Sequence, residues 1–110
     1  MIPAITQAEF VHFLEIAPEN TPVLIDYWAP WCAPCRAMHT ILDRLAEEYA
    51  GRIVIAKVNL DDNPLLAEGI TAVPTFRFYI GGKQINEVQG AKPYGIMKQF
   101  VEDAIANANV

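Results

Sequence analysis

The chain has only two cysteines among its 110 residues, no long apolar run and no excess of positive charge. Each shortage excludes something. Two cysteines cannot make the multiply bridged framework of a small secreted domain. Alone they cannot complete a zinc site either, because that takes four ligands. No stretch has the length and apolarity needed to cross a bilayer. The opening Met1-Ile2-Pro3-Ala4-Ile5 lacks a basic region and an extended hydrophobic core, so no signal peptide is expected. A net charge of −5 at pH 7 argues against nucleic acid and anionic membrane as partners. Repeats, linkers and low-complexity segments are missing too.

What is present is a foldable core. Hydrophobic residues make up 53 % of the chain, which is expected to form one domain over residues 1–110. Both cysteines fall in Trp28-Ala29-Pro30-Trp31-Cys32-Ala33-Pro34-Cys35, where a two-residue spacing lets a disulfide close across one helical turn. Val23 to Trp28 precedes it and shows no alternation, as a central strand covered on both faces should. After it, Met38, Ile41, Leu42, Leu45 and Tyr49 form the apolar stripe of a helix that Gly51 is placed to end. The dithiol therefore sits where a strand gives way to a helix. Pro34 is tolerated in that first turn because the amide it lacks has no partner there. Orphan amides and the helix dipole favour a thiolate at Cys32, while Cys35 lies one turn inside and less exposed. A lone C-x-x-C of this kind fits redox chemistry better than a scaffold or a metal site.

The remaining chain reads as alternating elements. Ile2 to Ile5 is expected as a short edge strand weakened by Pro3. Thr6-Gln7-Ala8-Glu9 has capping-box spacing, and Phe10, Phe13, Leu14 and Ala17 recur on one helical face. Ile53 to Val58 is a β-branched strand, and Asn63-Pro64 with Gly69 brackets a short third helix. Gly81-Gly82 joins strands Thr75 to Ile80 and Lys83 to Val88 as a hairpin. Ile96, Met97, Phe100, Val101, Ala104 and Ile105 mark a terminal helix after Pro93. The order βαβαβα, hairpin, α predicts an α/β fold, a mixed sheet with helices on both faces.

These residues resemble the thioredoxin family over nearly the whole chain. The resemblance is carried by Asp26-Tyr27-Trp28-Ala29-Pro30-Trp31-Cys32-Ala33-Pro34-Cys35, by Lys57-Val58-Asn59-Leu60-Asp61, by Val73-Pro74-Thr75, and by Gly82 and Gly90-Ala91. It implies a thioredoxin-like three-layer sandwich, with a mixed central sheet of about five strands flanked by four helices. It also implies a thiol–disulfide oxidoreductase that reduces protein disulfides, with Cys32 as nucleophile and Cys35 as resolving thiol. No bound cofactor is implied, since the Cys32–Cys35 disulfide carries both electrons. The implied partners are disulfide-containing target proteins and an NADPH-dependent flavoprotein reductase. A monomer in the cytoplasm is expected. Three departures stand out: Ala33-Pro34 where Gly-Pro is commonest, Thr40 where many members carry a helix-kinking proline, and the polar Gln89 before Gly90.

Several residues carry two readings each. A carboxylate at Asp26 in a doubly covered strand is costly unless neutral, paired or solvated. It is a structural acceptor or a proton-transfer group, and the resemblance implies the second, with Lys57 as its partner; otherwise Lys57 is an ordinary snorkelling lysine. Pro74 is either punctuation at a strand start or, as the resemblance implies, a cis proline that leaves Val73 free to pair with an extended substrate. Trp31, Val73, Gly90 and Ala91 then form the apolar patch that receives the substrate, while Trp28, Ala33 and Pro34 support the loop. His39, four residues after Cys35, shares its helical face and is either an idle edge residue or a modulator of the Cys35 and Asp26 pKa values. Arg77 is expected to reach solvent from the less covered side of the sheet. Beside the reductase stand an oxidase or isomerase of the same fold, which usually has histidine between the cysteines, and a binding module indifferent to redox state. Metal binding through Cys32, Cys35 and His39 would need a ligand from a second chain.

Overall fold

A computed structural model describes residues 2–109; Met1 and Val110, the ends of the expected domain, lie outside it. The elements in chain order are α1 (Phe10–Ile16), β1 (Val23–Trp28), α2 (Ala33–Glu48), β2 (Val54–Asn59), a 3-10 turn (Pro64–Leu66), β3 (Thr75–Ile80), β4 (Lys83–Gln89) and α3 (Tyr94–Ala108). The sheet runs β2-β1-β3-β4, with β1 parallel to β2 and antiparallel to β3. A single apolar run is what this position requires, and β1 is buried from Val23 through Tyr27. Gly81 and Gly82, both at positive φ, turn the chain so that Ile80 pairs with Lys83.

The two faces of the sheet carry separate cores. Leu24, Ile55, Phe76 and Phe78 meet Met38, Leu42 and Leu45 of α2 and Met97, Phe100, Val101 and Ala104 of α3. Ile25, Tyr27, Val58 and Tyr79 meet Leu14, Phe10 and Phe13 of α1 on the other side. Alternation along β1 sorts Leu24 to one layer and Ile25 to the other. Each fully buried phenylalanine contributes about 1.5–3 kcal/mol. The result is the three-layer α/β sandwich the sequence predicts.

The counts differ from expectation. Four strands and three α-helices are found among the described residues, rather than about five and four. The N-terminal strand reduces to one bridge, Ala4 against Lys57, framed by Lys57 N–H to the Pro3 carbonyl and Ile5 N–H to the Lys57 carbonyl, both at 2.9 Å. Pro3 has no amide to extend the ladder. The third helix is one 3-10 turn, because Asn63 does not cap it: its Oδ1 accepts from Gln7 N–H and its Nδ2 donates to the Asn59 carbonyl. Glu9 closes on Thr6 as capping-box spacing suggests, but that turn precedes α1 rather than opening it. Ile96, assigned to the apolar stripe of α3, faces solvent instead. Arg77 is not simply solvated: from β3 it pairs with Glu87 on the neighbouring β4 at 2.7 Å, and its guanidinium lies over the Tyr27 ring.

Candidate active site

The end of β1 delivers the sulfurs to the head of α2. Ala29 is buried, Cys32 N–H donates to its carbonyl at 3.1 Å, and Cys32 becomes the N-cap of α2 in extended geometry. Its Sγ accepts a hydrogen bond from Cys35 N–H at 3.2 Å, so sulfur takes the place of a capping oxygen. Cys32 and Cys35 form a disulfide, with Cα atoms 5.2 Å apart. Opening it leaves Cys32 facing the same amide and the positive end of the helix dipole, which favour its thiolate. Cys35 is fully enclosed and Cys32 only 5 % exposed, so the expected order of exposure holds while Cys32 is more sheltered than expected in the disulfide. Ala33 and Pro34 form the exposed first turn between them.

A second loop closes on the sulfurs. The Val73–Pro74 bond is cis, and the Val73 carbonyl oxygen lies 3.7 Å from Cys32 Sγ. Val73 packs on the disulfide together with Ala29 and Trp28. Gly90 N–H donates to the Pro74 carbonyl at 2.7 Å, which brings the start of the β4–α3 loop alongside, with Ala91 exposed next to it. Gly90 sits at φ +85°, a conformation that glycine adopts freely. Val73, Pro74 and Gly90 are thus gathered at the disulfide. Trp31 is 70 % exposed and anchored elsewhere, its Nε1 donating to Asp61 Oδ1 at 3.3 Å on the loop after β2. Asp61 in that role was missed, as was Arg36, which donates to the Pro30 carbonyl at 2.7 Å and ties α2 to the loop before it. The acid in Asn59-Leu60-Asp61 was visible, but nothing local said that an indole would reach it.

On β1, the strand that leads to the disulfide, Asp26 is completely enclosed, and neither carboxyl oxygen has a protein hydrogen-bond partner. Burial pushes its pKa from near 3.8 up to about 7, against a smaller downward pull from the Lys57 ammonium. Lys57 stands opposite Asp26 in the β1–β2 register and is half-buried. Trp28, half-buried at the end of β1, carries His39 edge-on at 4.9 Å between ring centroids. Burial, then Lys57, hold the His39 pKa below its ordinary value, with Asp43 opposing.

No group of three or more His, Cys, Asp or Glu side chains able to hold a metal is found among the described residues. The sulfur pair can itself carry two electrons, and its seat at a helix N-terminus makes one sulfur a good nucleophile and leaving group. The class so defined is that of the thiol–disulfide oxidoreductases. A family model described as Thioredoxin matches residues 2–103. The chain is 41 % identical over 90 residues to Thioredoxin 1 of Nostoc sp., covering 80 % of this chain and 84 % of that protein. It is 36 % identical over 107 residues to a thioredoxin of Porphyra purpurea, covering 96 % and 98 %. A chloroplastic M-type thioredoxin of Pisum sativum is 46 % identical over 88 residues, 78 % of this chain and 51 % of the longer plant protein. The chain belongs to the thioredoxin family, and with its cysteine pair intact it is a protein-disulfide reductase of that type.

Proposed function

We propose that the chain reduces disulfides of target proteins with Cys32 attacking, Cys35 resolving and Asp26 carrying the proton between them and solvent. The Cys32 thiolate attacks a target disulfide, forms a mixed disulfide and expels one target thiolate. Asp26 then takes the proton from the Cys35 thiol. The Cys35 thiolate attacks Cys32 Sγ, the internal disulfide forms, and the second target thiolate leaves with the electron pair. A group of pKa about 7 is about half ionised at neutral pH, so it serves as acceptor and later as donor. Lys57 supplies the charge that keeps the carboxylate form within reach.

The observation that carries this reading is the disulfide at the N-cap of α2, its Cys32 sulfur against the Val73 carbonyl. Val73, Pro74, Gly90 and Ala91 would receive an extended target segment by backbone pairing, with Trp31 covering it from the Asp61 side. The electron donor is proposed to be an NADPH-dependent flavoprotein reductase, and the compartment a reducing cytoplasm. The test is a single turnover on a model protein disulfide. Cys32→Ser should abolish attack, and Cys35→Ser should accumulate the mixed disulfide through Cys32. A Cys32→Ser/Cys35→Ser chain that kept its biological activity would instead favour a redox-independent binding module. Equilibration against a thiol buffer should place the dithiol near the roughly −270 mV of thioredoxins, and a value approaching about −120 mV would indicate an oxidase.

A further inference from the structure

Four polar atoms are enclosed at the interface between α2 and the sheet without a protein hydrogen-bond partner: both carboxyl oxygens of Asp26, Trp28 Nε1 and His39 Nε2. Their placement is common. Asp26 and Trp28 are two residues apart on β1 and share the face that Leu24 turns toward α2. Lys57 stands opposite Asp26 on the same face. His39 comes down from α2 and sets its ring edge against Trp28, with the ring only partly buried. Leaving such groups unpaired would cost about 1–3 kcal/mol each. Enclosed polar sites with two to four partners are what ordered water occupies in proteins.

We propose that His39 is the outlet for the Asp26 proton, reached through water held between the Asp26 carboxyl, Trp28 Nε1 and His39 Nε2. The inference rests on the relay role proposed for Asp26 and adds the path by which that proton leaves. In the tautomer with hydrogen on Nδ1, Nε2 presents a lone pair to the water. The Asp26 O–H bond breaks, the water passes a proton to Nε2, and the ring releases one to solvent from its exposed side; no electrons move. Two ionisable groups bear on the ring, Lys57 from β2 and Asp43 one turn along α2, and Asp26 lies on the strand face that α2 covers. Burial and Lys57 hold the imidazole pKa below its ordinary value, which favours the neutral ring that can accept a proton. His39 acts through Asp26, as a positioning residue for the proton.

His39→Phe keeps the ring against Trp28 and deletes Nε2. His39→Gln keeps a polar end that can hold water but cannot carry a proton. Two readouts are taken on the full chain: the Asp26 midpoint from carboxyl NMR, and the pH profile of target release from the mixed disulfide. His39→Phe should raise the Asp26 midpoint above about 7 and slow release several-fold at neutral pH. His39→Gln should restore the midpoint toward the parent while leaving release slow. If His39→Phe fails to fold, His39→Gln decides alone, and a release profile matching the parent overturns the proposal. Asp26→Asn separates the two levels. An unchanged profile there removes the relay reading and this inference together. A changed one beside unaffected His39 variants removes the inference only.

Discussion

At the scale of single residues the chain keeps one expensive group. Asp26 ionises near 3.8 when unfolded and at about 7 when folded, with burial as the cause. Between those values the native chain binds more protons than the unfolded one, so stability falls as pH rises. The stability linked to this group is complete below about pH 3.8 and is lost as pH passes through about 7. At about 1.4 kcal/mol per pH unit, the ionised carboxylate costs roughly 4 kcal/mol above that window. Asp26→Asn should therefore raise the urea midpoint at pH 8.5 by a large part of that, leave it nearly unchanged at pH 4, and slow target release. A variant no more stable than the parent at pH 8.5 would contradict the buried, unpaired carboxyl. The acid itself was legible, since a carboxylate inside an unbroken apolar strand demands an explanation. The Trp28–His39 contact was not: helical spacing placed His39 on the Cys35 face but could not say which strand residue its ring would meet.

At the scale of elements, β1 and β3 are joined by more than their ladder. The Tyr27 and Tyr79 hydroxyls lie 2.6 Å apart in the α1-side core, with Phe10 against both rings. Burial and the second phenol push the Tyr27 pKa up, so its hydroxyl stays protonated at any working pH. Removing one hydroxyl strands the other, whereas removing both removes the need. Tyr27→Phe should cost about 1–2 kcal/mol in urea unfolding, and Tyr27→Phe with Tyr79→Phe should cost less than the two single changes added. Simple additivity would show that the hydroxyls do not depend on each other. Periodicity makes strands and helices of this strength visible, and β1, α2, the Gly81-Gly82 hairpin and α3 were read at nearly their final bounds. The weak elements failed where distant side chains decided. Asn63 looked like a helix cap until Gln7, far along the chain, claimed its Oδ1. Nothing near Arg77 in sequence announced Glu87 across the hairpin.

At the scale of the whole molecule, the segment ahead of α1 links both cores to the edge of β2. It is too short and proline-broken to count as a strand, yet it contributes Ile2 to the α2–α3 core and Ile5 to the α1 core. Between them it pins the outer edge of β2 at one residue, and that residue is Lys57. The same chain end thus holds two layers together and fixes the backbone of the cation facing Asp26. Burial of each isoleucine is worth about 1.5–3 kcal/mol. Deleting residues 1–5 should lower stability by roughly 3–5 kcal/mol, a large share of what a domain this size possesses. Ile2→Ala with Ile5→Ala removes the apolar contacts but leaves both Lys57 backbone bonds available. If those bonds fix Lys57, the deletion should also move the Asp26 midpoint upward, because the ammonium that pulls it down is loosened. The double alanine variant should lose stability with its Asp26 midpoint near the parent value. Equal midpoints in all three chains would show that the N-terminal segment stabilises the fold without reaching the active site.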